Sequence, residues 1–114
     1  MGSGNSEFSS TNILFATTNS AGADQVLQSI DGSVVSAVEY VIIADDVQAN
    51  SRQTTKLLAS ILGTQISYSE FGTIDINGGV GDFKVQYNVG NIELTVTPVS
   101  PNPLNYKIMV TTYK

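Results

Sequence analysis

Period two governs the second half of this chain. From Asp82 to Tyr87, the residues Phe83, Val85 and Tyr87 fall on one side of an extended backbone. After Asn88-Val89-Gly90-Asn91, a second run sets Ile92, Leu94 and Val96 against Glu93, Thr95 and Thr97. Successive side chains of a strand point to opposite faces, so alternation over six residues marks a half-buried antiparallel strand. A third run, Leu104 to Tyr113, alternates Tyr106, Ile108 and Val110 with Lys107, Met109 and Thr111. Ser100-Pro101-Asn102-Pro103, just before it, stays out of any ladder because proline has no N–H to donate. These segments confine the chain to an all-β class.

The first half carries weaker strand signals. Asn12 to Thr17 reads as a strand, and Val26 to Ile30 as another, closed by the turn dipeptide Asp31-Gly32. Val34 to Ala44 is the most apolar stretch; Val38, Val41, Ile42 and Ile43 predict a central strand covered on both faces. Gln48 to Leu62 is two-sided. Leu57, Leu58, Ile61 and Leu62 fit a helical spacing, whereas Thr54 and Thr55 favour a strand. The strand is preferred, because a hairpin through Gly63 needs a partner for residues 64–70. That partner strand continues from Glu70 to Ile76 across a kink at Gly72. Seven or eight strands at this spacing predict an antiparallel, jelly-roll-like β-sandwich over residues 11–114.

Residues 1–10 are rich in Gly and Ser and have little to bury. They predict a flexible arm, either a bare tail or a segment that docks on a partner with Phe8 as its anchor. The apolar run behind it extends the expected partner contact to Ile13, Leu14 and Phe15.

Composition narrows the function classes. The chain has 114 residues, no cysteine and no histidine. Nucleophilic triads built on Ser-His or Cys-His are therefore impossible, and the commonest zinc ligands are missing. The adjacent pair Asp45-Asp46 points to opposite faces if it lies on a strand, so it does not converge on one bond. A non-enzymatic protein with no cofactor is expected. Net charge is −5 with five basic residues, scattered rather than clustered, which argues against binding nucleic acid or anionic membranes. No apolar run approaches the length of a membrane-spanning helix, and residues 1–6 lack the features of a signal peptide.

Two further features invite a ligand. Asp75, Asn77 and Asp82 are oxygen donors of the type calcium takes, but the stretch departs from the EF-hand pattern. A glycine-rich hairpin connection accounts for the same residues. Five tyrosines and four phenylalanines suggest a sugar platform. However, Phe83, Tyr87 and Tyr106 sit at inward strand positions, and Tyr40 and Tyr68 lie inside apolar strands.

The sequence from Val34 to Lys114 resembles a β-sandwich domain of tailed-phage virion structural proteins, of the marine and cyanobacterial-phage type. The resemblance rests on Tyr68-Ser69-Glu70-Phe71-Gly72-Thr73-Ile74, on Gly81-Asp82-Phe83, on Gly90-Asn91-Ile92-Glu93-Leu94-Thr95-Val96-Thr97-Pro98, and on the closing Lys107-Ile108 strand. The Asn77–Gly81 insertion and the polar loop from Asp45 to Gln53 depart from the family's usual form. The resemblance implies a virion part made in the host cytoplasm. The first expectation is a decoration or cement protein that binds the major capsid protein, or other virion proteins, in many copies and as a homo-oligomer. The alternative is a tail-fibre, neck or receptor-binding component that recognises glycan. The polar strand positions Lys84, Gln86, Glu93, Thr95 and Thr97 become candidates for a contact face.

Overall fold

A computed structural model describes residues 8–114. Eight strands are formed: β1 (Ser9–Thr18), β2 (Gln25–Asp31), β3 (Ala37–Asp46), β4 (Ser51–Leu62), β5 (Gln65–Ile76), β6 (Gly81–Asn88), β7 (Asn91–Pro98) and β8 (Leu104–Tyr113). One turn of 3-10 helix, Gly32–Val34, follows β2 and is capped by the Asp31 carboxylate, which accepts from the Ser33 amide. The strands make a five-stranded sheet in the order β1-β8-β3-β4-β5 and a three-stranded sheet in the order β2-β7-β6. Every pairing is antiparallel. The β-sandwich predicted from the sequence is the fold.

The ambiguous segment before Gly63 is strand β4, and its hairpin with β5 explains why. Lys56 pairs with Gly72 and Leu57 with Glu70, so Phe71 is the extra residue of a bulge. The kink anticipated at Gly72 is this bulge, which bends an otherwise continuous strand. Between β6 and β7, the two-residue turn holds Val89 at φ 46° and Gly90 at φ 86°. Positive φ at both positions suits the twist of a tight hairpin but strains a β-branched residue.

The core lies between the sheets. Val38, Tyr40, Ile42 and Ala44 of β3 face inward beside Leu57, Ala59 and Ile61 of β4 and Leu104, Tyr106, Ile108 and Val110 of β8. Phe83, Val85, Ile92, Leu94 and Val96 meet them from the small sheet. Phe83 stands edge-on to Tyr106 at 6.1 Å between ring centres. Burying one such aliphatic side chain contributes roughly 1.5–3 kcal/mol, so this layer dominates stability.

Three expectations are corrected. The central strand β3 is covered on one face only: its inward residues are buried, whereas Val41 and Ile43 are half-exposed on the outside. Two layers leave the outer side of each sheet to solvent. Tyr68 lies on the exposed edge strand β5 and not in the core. Ser9 and Ser10, assigned to the arm, pair with Tyr113 and Thr112. Residues 1–7 of that arm lie outside the described residues.

Candidate functional site

The residues with catalytic or ligand-binding chemistry are dispersed by this fold. Period two sends Asp45 outward and Asp46 inward. Asp45 receives the Arg52 guanidinium in a two-pronged pair at 2.5 and 2.9 Å, which holds its carboxyl below the usual carboxylate range. Asp46 is buried and accepts from the Ala49 amide at 3.1 Å and from Asn102 Nδ2 at 3.2 Å. An open hollow of about 300 Å³ at this end is lined by Asp45, Asp46, Arg52, Ile76 and Asn77 among others. Arg52 favours the ionised form of Asp45, which suits a structural ion pair better than a proton carrier.

The calcium candidates are not gathered. Asn77 turns its side-chain nitrogen to the Asn50 carbonyl at 2.8 Å, and its own carbonyl accepts from Ser51 Oγ at 2.7 Å. Asp75 stands exposed on β5 and Asp82 on β6, in different sheets. Among the described residues, no three His, Cys, Asp or Glu side chains assemble in a way that holds a metal ion. What organises this connection is Gln53, a residue the sequence did not single out. Buried on β4, it accepts from the amides of Val80 (2.7 Å) and Gly81 (3.0 Å) and donates to the Gly81 carbonyl (2.9 Å) and to Thr55 Oγ1 (3.0 Å). One amide side chain thus ties the large sheet to the start of β6 with both its ends satisfied. Only the register that turns Gln53 inward reveals it.

Two broad surfaces remain, and they differ. The outer face of the small sheet carries Asp82, Lys84, Gln86 and Asn88 of β6 beside Asn91, Glu93 and Thr97 of β7, while Thr95, expected on the same face, is buried. These side chains are tied to one another: Gln86 donates to Glu93 at 2.8 Å, and Thr97 donates to Asp24. The outer face of the large sheet is apolar across its middle. In cross-strand register, Ile13, Met109, Val41, Lys56 and Gly72 form one row, and Phe15, Lys107, Ile43, Thr54 and Ile74 the next. Ile13 is 68% exposed, Phe15 73% and Ile74 70%. Phe71, raised on its bulge, and Leu58 line a shallow hollow with Ser60, Ser67 and Ser69 beside these rows. Exposed apolar groups concentrated on one face mark an interaction site more than scattered ones do.

The four residues expected to meet a partner divide along the same line. Ile13 and Phe15 belong to the exposed outer face. Leu14 points the other way, half-buried against the core, because it is one residue out of phase. Phe8 packs on Tyr113 at 5.8 Å between ring centres while remaining largely exposed, and its carbonyl accepts from the Lys114 amide.

No protein-family model matches the chain, and no curated protein matches it. Solved structures do share its fold. The tailspike of Acinetobacter baumannii phage AM24 matches over 96% of this chain with a TM-score of 0.61 at 11% identity. The tailspike of Acinetobacter phage vB_ApiP_P1 matches over 89% with a TM-score of 0.59 at 16% identity. A tailspike of Acinetobacter baumannii bacteriophage Fri1, described as a capsular polysaccharide depolymerase, matches over 94% with a TM-score of 0.52 at 15% identity. The chain spans only 27%, 21% and 18% of those three proteins, respectively. These neighbours therefore have one segment built like this whole chain. At such identities the likeness is one of fold.

Proposed function

We propose that this chain is a non-enzymatic structural part of a phage particle, belonging to its tail spike or tail fibre and not to its head shell. The observation that carries the reading is that its sandwich is matched along nearly all its length by segments of three phage tailspikes. The same observation supports the tail or receptor-binding alternative over capsid decoration, and tailspikes of Acinetobacter phages over the marine and cyanobacterial type. Missing histidine and cysteine add weight against a catalytic role for this segment. Its capacities are those of a rigid block: a well-packed core, two tight hairpins, and sheet surfaces available for contacts.

Copy number and position on the particle test the proposal together. Quantitative mass spectrometry of purified particles is expected to find this chain at tens of copies or fewer. Gold-labelled antibody against it is expected to decorate the tail end in electron micrographs. Hundreds of copies with label spread over the head would overturn the tail reading in favour of a decoration protein. Absence from purified particles would overturn a virion role altogether.

A further inference from the structure

We propose that the outer face of the five-stranded sheet is the surface through which this chain binds a second copy of itself. The inference stands on the face's own chemistry and does not depend on where in a particle the chain resides.

The composition of the central strand makes the first argument. Along β3, inward Tyr40, Ile42 and Ala44 alternate with outward Val41 and Ile43, so the strand is apolar on both sides in its middle, between outward Glu39 and Asp45. Such a strand belongs between two covering layers. Among the described residues there is only one, the small sheet. Outward Met109, Ile13 and Phe15 extend the uncovered apolar surface across β8 and β1 to one edge of the sheet, and Ile74 lies on the other edge beyond Thr54 and Lys56 of β4.

Charge then selects the occupant. The chain as a whole is acidic, at −5, so two copies repel unless they meet through a surface that escapes the excess. The outer face of the large sheet does. It holds Arg52, Lys56 and Lys107 against Glu39 and Asp45, a net +1, and four of these five are already paired as Asp45–Arg52 and Glu39–Lys56 (3.2 Å). The small sheet's outer side, with Asp24, Asp31, Asp82 and Glu93 against Lys84, is net −3 and repels its like. Neutral pairs of alternating sign flanking an apolar middle are self-complementary across a symmetry axis.

Size agrees. Five strands at about 4.8 Å spacing and ten residues at about 3.4 Å rise give a face of roughly 800 Å², the area one partner contributes to a stable interface of standard size. One edge of this sheet also lacks the usual guards against association: β1 contains no charged residue and no proline, whereas β5 carries Glu70, Asp75 and the bulge at Phe71.

The test measures oligomeric state. In analytical ultracentrifugation at tens of micromolar, the wild-type chain is expected to sediment as a dimer or a larger closed assembly. The double variant Phe15→Lys/Ile74→Lys, altering two exposed side chains, is expected to be monomeric with an unchanged circular-dichroism spectrum. The control Gln86→Lys on the opposite face is expected to associate as wild type does. Because the chain has no cysteine, Met109→Cys provides a second readout that survives a misfolded double variant. Its reaction with a maleimide is expected to slow at least tenfold on going from dilute to associating concentrations, while Gln86→Cys reacts at a constant rate. A wild-type monomer at every concentration overturns the proposal. So does association that buries position 86 and leaves position 109 open.

Discussion

The two outer faces of this sandwich come from the same alternation, yet they present opposite chemistries. On β6 and β7 the outward residues are Asp, Lys, Gln, Asn, Glu and Thr, linked to one another and content in water. On β1, β8, β3 and β5 the outward residues include Ile13, Phe15, Met109, Val41, Ile43 and Ile74. Strand geometry alone is indifferent to this distinction. It sorts side chains onto two faces, and the residue types then decide which face the fold closes over and which it leaves for something else. The small sheet reads as a finished surface, the large sheet as half of an unfinished one.

Substitutions on the two sides of the large sheet break or sharpen that comparison. The largest effect is expected inside. Ile108→Ala removes a buried side chain at the centre of the core and is expected to cost about 3 kcal/mol in urea unfolding. Ile74→Ala on the outer face is expected to cost less than about 0.5 kcal/mol in the dissociated chain. If its cost grows as protein concentration rises, the outer face is being covered by association, since binding partners stabilise by mass action. Equal costs at both positions in the dissociated chain would break the distinction between inner and outer faces.

A smaller effect of opposite sign is expected at Tyr40. Its ring is fully buried on the inner face, its hydroxyl has no hydrogen-bond partner among the described residues, and burial pushes that hydroxyl's pKa up. Tyr40→Phe removes an unpaired polar atom while keeping the ring, and is expected to raise stability by about 1 kcal/mol. A loss of stability measured by thermal unfolding would mean that the hydroxyl is satisfied after all.

The smallest effect concerns the outer face's own charges. Arg52 holds the Asp45 carboxyl below its ordinary value. The pair's contribution is therefore fully present above the ordinary carboxylate range and is lost as pH falls through the lowered folded value. Stability curves of wild type and Arg52→Gln, measured as urea midpoints against pH, are expected to coincide in acid and separate slightly towards neutrality. Curves that stay parallel throughout would show that the exposed pair contributes nothing.

Much of the architecture was legible residue by residue. The alternations at Phe83–Tyr87, Ile92–Val96 and Tyr106–Val110 all put the expected side chains inward, because period two survives any change in tertiary context. The segment before Gly63 was legible only through its neighbour, since Leu57, Leu58, Ile61 and Leu62 satisfy two periodicities until a partner strand is required. Other features were out of reach. Leu14 and Phe15 look equivalent in sequence, but the register with β8 assigns one to the core and the other to solvent. Gln53 looks like any polar residue in a strand until its neighbours turn it into the clasp on Val80 and Gly81. The supposed calcium ligands look adjacent along the chain, yet the fold assigns two of them to different sheets.

The sequence by itself thus determined that this chain is all-β, where most of its strands run, and that histidine and cysteine chemistry is closed to it. Those conclusions follow from local periodicity and from the presence or absence of side-chain types, neither of which needs a partner strand. Only the tertiary structure decided that β3, apolar on both sides, is covered on one. That depends on which strands join which sheet, and the described residues make two layers, five strands on three.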